Sequence, residues 1–275
     1  MKIKQVFKLS LFLWVVLLLL CSFSPKKEIP QIINFNERFV QIDSRLCVDK
    51  YEVTVSDFQL FLGEKKEISK DYELLMYDST AWMRSLTATE DFTSFYFNNE
   101  YFTNNPIVCI SHYAANEFCK WLTEKYNTGL QKKYKTVVFR LPLESEYKKV
   151  AISHYDPSKI WYPWGNNSLY SKGEKCCNFR ELDQAGLDYN YINNQINYHE
   201  SGLPSCIAPV DFYLPNPYGV YNIVGNASEM IQEDHVAMGG DWFSTGFNVK
   251  INSKKAYDVC SPTVGFRVYM EIVEN

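Results

Sequence analysis

Apolar and polar positions alternate at Phe39-Val40-Gln41-Ile42 and again from Leu46 to Val53, and each alternation predicts a strand. Thr54 or Ser56 follows as a candidate cap, and Phe58, Leu60 and Phe61 then share one face of a short predicted helix that stops at Gly63. From Glu64 to Asn105 no period survives, and the mixture of Asp, Asn, Thr and aromatic residues reads as loops packed by their own side chains. A longer helix is predicted next. Ser111 caps it, Ala114, Phe118, Trp121, Leu122 and Tyr126 recur at helical spacing, and Asn127 and Gly129 close it. Cys119 falls within a helical turn of this apolar face, which predicts a buried or bridged thiol. Val137 to Leu141 predicts a short strand, and Pro142 opens a helix with Glu144 and Glu146 in its first turn, where the dipole favours anions. Residues two apart do not face each other on a helix, so this pair reads as a helix start in preference to an acid/base couple. After Ala151 the chain is loop-rich to Pro209. Gly239-Gly240 marks a tight turn, and Phe266-Val268-Met270 alternating with Arg267-Tyr269-Glu271 predicts a final strand that pairs near the first ones.

The opening of the chain follows a different pattern. Lys2, Lys4 and Lys8 precede an almost unbroken apolar run from Leu9 to Leu20, which reads as an export signal too short to favour a membrane span. Leu18-Leu19-Leu20-Cys21 resembles the lipobox of a bacterial lipoprotein, except that Leu20 stands where a small residue is expected. A lipid on Cys21 is therefore the expectation, with an ordinary cleaved signal or a short uncleaved anchor as alternatives. Residues 21–37, with Pro25, Lys26, Lys27 and Pro30, suit a tether after a signal peptide over 1–20, and 38–275 form the domain. The expected location is the bacterial cell envelope, membrane-anchored through Cys21, or secreted or periplasmic if Cys21 carries no lipid. Export permits disulfides, but seven cysteines remain after Cys21, an odd number, and their connectivity is not readable from spacing. Cys176-Cys177 could not bridge each other without strain.

A length of 275 residues with 46% hydrophobic content supplies a sizeable core, and an aromatic share of 16% argues against disorder. The net charge of −4 offers no basic footprint, which excludes nucleic acid as the expected partner.

Leu214 to Glu233 combines Pro and Gly punctuation with spaced oxygen side chains, and a folded loop around a cation is its simplest physical reading. Around this loop stand Asp49-Lys50-Tyr51-Glu52-Val53-Thr54, Asn105-Pro106-Ile107-Val108 leading into Ser111-His112-Tyr113-Ala114-Ala115-Asn116, Arg140-Leu141-Pro142-Leu143-Glu144-Ser145-Glu146-Tyr147, and Tyr162-Pro163-Trp164-Gly165-Asn166. Pro215-Asn216-Pro217-Tyr218-Gly219-Val220-Tyr221-Asn222-Ile223-Val224-Gly225-Asn226-Ala227-Ser228-Glu229, Gly239-Gly240-Asp241-Trp242 and Gly265-Phe266-Arg267 complete the series. In this order they resemble the sulfatase-modifying factor family, the formylglycine-generating enzymes and their relatives, over roughly Cys47 to Val268. The resemblance implies an α+β fold, an elaborated C-type-lectin-like domain with short mostly antiparallel sheets, two or three helices and much irregular loop.

The family's oxidation of a substrate cysteine needs two thiolates that hold Cu(I). By the resemblance those positions are Ser244 and Val249, and the Ser of the family's Gly-Gly-Ser segment is Asp241. Neither a hydroxyl nor an isopropyl group replaces a thiolate, and Cys260 is a single later thiol, which argues against copper. The family's sulfoxide synthases hold iron with three His from a further helical domain. Here His112, His154, His199 and His235 show no ligand spacing, and no G-x-S-x-G motif supports a hydrolase. The resemblance also maps a calcium site onto Asn222, Gly225, Ala227 and Glu229. A second would use Asn178 and Phe179, but its Asp partner falls near Ser201-Gly202, where no Asp stands. The implied protein is an exported, lipid-anchored, non-catalytic scaffold or binding domain with structural calcium and an envelope protein or glycan as partner, similar in kind to gliding-motility and secretion lipoproteins of this fold. Two alternatives stay open: an oxidoreductase of altered chemistry whose cleft uses Asp241 and Ser244 with Cys260 or His235, or a lectin-like module that binds carbohydrate or protein.

Overall fold

The structure, a computed structural model, describes residues 34–85, 90–130, 132–181, 207–258 and 260–275. Cys21 and the signal-like segment, Ser201-Gly202 and Cys206 lie outside them. Helix α1 (Phe35–Arg38) leads into β1 (Phe39–Gln41) and β2 (Leu46–Asp49). After α2 (Val55–Lys65) come α3 (Tyr72–Leu75), α4 (Ala81–Ser85), α5 (Glu90–Asn98), the long α6 (His112–Thr128), β3 (Thr136–Arg140) and α7 (Glu144–Ile152). The second half holds β4 (Tyr170–Ser171), β5 (Glu174–Lys175), β6 (Ser228–Met230), β7 (Val236–Met238), β8 (Lys254–Ala256), β9 (Val264–Gly265) and β10 (Tyr269–Glu274).

Two four-stranded sheets carry the architecture, ordered β1-β2-β10-β3 and β8-β7-β6-β9, beside the small β4-β5 hairpin. The first is antiparallel throughout; β10 pairs with β2, near the first strands as expected, but it begins at Tyr269, three residues after the predicted Phe266, and pairs also with β3, so that it occupies the sheet's interior. In the second, β6 pairs antiparallel with β7 and parallel with β9. β2 is shorter than its alternation implied, and all four of its residues are buried. Leu46 and Val48 face the core, while on the other side Cys47 meets the Tyr134 hydroxyl and Asp49 is paired by Arg38 of α1.

The edge of β3 is covered by α6 rather than by another strand. Asn127 exchanges two hydrogen bonds with Val137, at 2.8 and 3.0 Å, and Thr123 Oγ1 accepts from Phe139 N–H, so the strand's outward backbone groups are satisfied by a helix. Ser111 Oγ caps α6 by accepting from Ala114 N–H, and the helix buries Phe118, Cys119, Trp121 and Leu122, with Phe118 packed on Phe58, Phe61 and Phe266 and Trp121 on Phe61. α2 begins at Thr54 as predicted but runs past Gly63 to Lys65, and Leu62 rather than Leu60 completes its buried face. α7 begins after Leu143, two residues beyond the Pro142 start. Glu146 accepts from Leu143 N–H and pairs with Arg140, while Glu144 binds Lys148 and Lys254, so both carboxyls are held below their ordinary range by basic partners. That is the helix-start role.

The stretch from Glu64 to Asn105 departs from the predicted loops, since α3, α4, α5 and a 3-10 turn at Glu100–Phe102 occupy it. α3 and α4 are too short to show a period, and rings hold the region: Trp82 lies 5.5 Å from Tyr96, and Tyr96 5.0 Å from Phe102.

Thr54 and Asp57 form a reciprocal capping box at the start of α2, each bond 3.1 Å long and buried. Thr54→Ala is predicted to cost about 1–2 kcal/mol, read as a lower urea midpoint at unchanged slope. An unaltered midpoint would contradict that role for the cap.

Candidate functional site

Glu52 stands just beyond β2, held in place when Val53 N–H donates to Phe266 O at 2.9 Å and Ile107 N–H to Val53 O at 2.8 Å. Its carboxylate is fully buried and is met by neutral donors. Asn222 Nδ2 donates at 3.1 Å, Asn226 Nδ2 at 3.2 and 3.1 Å to the two oxygens, and Ala227 N–H at 3.2 Å. The two asparagines reach it because their backbones are left-handed, with φ of 47° and 60°, a conformation Asn tolerates. Gly225 between them has φ of 74°, and a Cβ there would come within 2.5 Å of Asn178 O, so only glycine fits. Burial pushes the Glu52 carboxyl up to about 8, with Arg267 opposing and Glu229 adding to the rise.

Glu229 comes from β6 and Arg267 from the junction of β9 and β10, so this pair joins the two sheets. Arg267 Nε and Nη2 donate to Glu229 Oε1 at 2.9 and 2.7 Å, Nη1 donates to Asp49 O at 3.1 Å, and Nη2 also donates to Tyr221 O at 2.7 Å. Neither side chain is more than 1% exposed. Two oxygens of this network, Glu229 Oε2 and Asn222 Oδ1, are buried with no hydrogen-bond partner. Asn222 also lines a small cavity of about 10 Å³ beside Cys177, Asn216 and Val224.

Of the predicted cation ligands, Asn222, Gly225, Ala227 and Glu229 therefore share one buried region around Glu52. Asn178 stands beside it: its Nδ2 donates to Asn226 Oδ1 at 3.1 Å and its carbonyl accepts from Asn226 N–H. Phe179 differs, because its carbonyl accepts from the Lys175 ammonium at 3.2 Å. Among the described residues no three His, Cys, Asp or Glu side chains gather as a metal cluster. The four-position set relies instead on amide, backbone and single-carboxylate oxygens.

The cleft candidates do not form one open site. Asp241 is 2% exposed and carries an ion pair with Lys255, a bond from Ser228 Oγ at 3.1 Å and one from Phe243 N–H at 3.0 Å. Ser244 continues that turn, its N–H donating to Asp241 O and its carbonyl accepting from Arg180 N–H. Val249 is fully buried in the core cluster. Cys260 lies on a separate segment, where its carbonyl accepts from Arg84. Sequence reasoning gave no role to Glu52, Asn226, Lys255 or Arg267. The terminal alternation set Arg267 opposite the apolar side of the strand, whereas the structure buries it completely.

Removing one partner of a buried ion pair leaves the other charge uncompensated. Arg267→Met is predicted to destabilise the domain by about 3–5 kcal/mol in equilibrium unfolding at neutral pH. A loss below about 1 kcal/mol, the size of an exposed pair, would refute a structural role.

The profile of the sulfatase-modifying factor enzyme 1-like domain matches residues 27–272. The formylglycine-generating enzyme of Thermomonospora curvata is 26% identical over 164 residues, which are 59% of this chain and 42% of that enzyme. That of Mus musculus is 27% identical over 163 residues, 59% of this chain and 33% of that enzyme. The match thus spans less than half the length of these curated relatives. Among solved structures, PvdO from Pseudomonas aeruginosa has a TM-score of 0.53 at 16% identity, covering 82% of this chain and 80% of its own. CarF has a TM-score of 0.52 at 14% identity, over 82% and 86%. At such identities the structures share the fold, the α+β arrangement of short sheets, helices and long loops described above. Matched along almost all of its described length, the chain belongs to the family of the sulfatase-modifying factor enzyme 1-like domain.

Proposed function

We propose that the chain is an exported, lipid-anchored member of this family that acts without catalysis, as a scaffold or binding domain stabilised by calcium. The observation that carries the reading is Val249. One of the two positions at which the family holds copper thiolates is a fully buried valine in the hydrophobic core, close enough that a Cβ on Gly240 would meet its Cγ1 at 2.9 Å. The other is Ser244, whose hydroxyl is a poor ligand for Cu(I).

The donor set fits calcium. Asn222 Oδ1 and Glu229 Oε2 are hard oxygens without partners, and the carbonyls of Gly225 and Ala227 belong to the same loop. The network also buries two carboxyl groups, Glu52 and Glu229, beside one guanidinium, and burial raises both of them. A bound calcium would favour their ionised forms and tie the loop to β6. For a binding role, Trp161 and Phe247 are 52% and 77% exposed and flank Lys250 Nζ at 4.5 and 3.9 Å from their ring centroids. Rings so exposed favour contact with an envelope glycan or protein over a bare solvated surface.

Purified protein is predicted neither to retain an equivalent of copper nor to oxidise a cysteine-containing peptide in the presence of oxygen; doing both would overturn the non-catalytic reading. Chelator is predicted to lower the melting temperature of the native chain but not of Glu229→Ala, because calcium binding only the folded state stabilises it by mass action. An equal response in the variant would remove calcium from this loop. Labelling with a lipid analogue is predicted to depend on Cys21, and a labelled Cys21→Ala protein would exclude that anchor.

A further inference from the structure

Cys109 and Cys260 belong to no part of the site above, yet the fold brings their segments together. Cys109 precedes the Ser111 cap of α6, is fully buried, and has φ of 60°, a left-handed conformation that a non-glycine residue holds only when its surroundings impose it. Those surroundings are explicit. Asp78 N–H donates to the Cys109 carbonyl at 2.7 Å, and Cys109 N–H donates to the Ser261 carbonyl at 3.0 Å. Cys260 is the residue before Ser261 and is half-buried. Its carbonyl accepts from Arg84 Nη2 at 3.3 Å, and Arg84 is itself paired with Asp78 at 2.6 Å. Asp78, Arg84 and the two cysteine segments therefore close a ring of contacts.

All six described thiols are unbridged in the structure, and the other four have different surroundings. Cys47 faces the Tyr134 hydroxyl at 3.9 Å, Cys119 is deep in the packed face of α6, and Cys176 and Cys177 are sequence neighbours. Cys260 is the immediate neighbour of Ser261, whose carbonyl accepts from Cys109 N–H, so the two cysteines stand on adjoining backbone segments, the placement a disulfide requires. The Cys109 thiol also senses the charge of Cys260.

We propose that Cys109 and Cys260 form a disulfide that fastens the segment before α6 to the segment before β9. Cys260, the more accessible, attacks as its thiolate one sulfur of a donor disulfide, either a protein disulfide carrier or an oxidised small thiol. One donor sulfur leaves as a thiolate and a mixed disulfide forms. Cys109, deprotonated in turn, attacks the Cys260 sulfur and releases the second donor thiolate. Two electrons and two protons pass from the chain, and the donor ends as a dithiol or as two thiols. Burial and Asp78 raise the Cys260 thiol, and Arg84, paired with Asp78, offsets part of that rise. Burial raises both thiols, so the reduced pair gains little from ionising, which favours the bridged form.

The test uses the full chain equilibrated with oxidised glutathione, alkylated in denaturant without reductant, digested and mapped by mass spectrometry. A cross-linked pair of peptides carrying Cys109 and Cys260 is expected, absent from Cys260→Ser. Reductant should lower the melting temperature of the native chain by several degrees towards that of Cys260→Ser, which should not respond. Recovery of both thiols alkylated, or of Cys260 joined to Cys176, Cys206 or glutathione, would overturn the proposal. If Cys260→Ser fails to fold, the peptide map of the native chain decides alone.

Discussion

The ion pair of Arg267 with Glu229 is the constraint on which the rest of the domain depends. A guanidinium and a carboxylate, both out of contact with water, lose several kcal/mol each in desolvation, and only well-aligned partners offset that. Arg267 finds them on β2 through the Asp49 carbonyl, on the central loop through Tyr221, and on β6 through Glu229. None of the three can move independently without stranding the charge. Glu52 adds a second carboxylate held by amides of the same loop, which makes the centre of the molecule polar and crowded with oxygen. The hydrophobic layers on either side, Phe58, Phe61 and Phe118 on one and Val150, Ile223 and Met238 on the other, provide the bulk of the burial. The polar centre fixes their mutual placement.

What could be read from the sequence was what is local. Ser111 and the apolar face of α6 form one period over four turns, and Thr54 with Asp57 is a cap written in four residues. The left-handed bends at Asn222, Gly225 and Gly239 follow from residue types that tolerate them. The misses share a physical cause. α3 and α4 span a single turn or little more, so nothing periodic marks them, and rings distant in sequence hold that region, as Trp242 stacks on Trp82. Arg267 is charged in an alternating run, and a charged residue signals exposure until its partner on β6 is known. Asp241 presents the same problem, since Lys255 reaches it from β8.

The turn at Gly239-Gly240 separates scaffold from chemistry. Gly239 accepts from Gly225 N–H and donates to Ser253 O, while Trp242 N–H donates to Asn226 O, so the turn supports the loop that surrounds Glu52. Those bonds are indifferent to what stands at 244 and 249. The two glycines serve the backbone here, and such a motif in a sequence reports on the fold before it reports on a reaction.

The place of β10 in the first sheet has a kinetic consequence. β2 and β3 do not pair with each other; the strand that separates them is β10, which begins two residues after Arg267 and far along the chain from both. A nascent chain thus carries two strands with facing unpaired edges, and a Glu229 without its counter-charge, until the segment from Arg267 through β10 has joined them. Assembly of the centre therefore waits on contacts between segments far apart in sequence, because Asp49, Tyr221 and Glu229 are fixed in place only once Arg267 joins them.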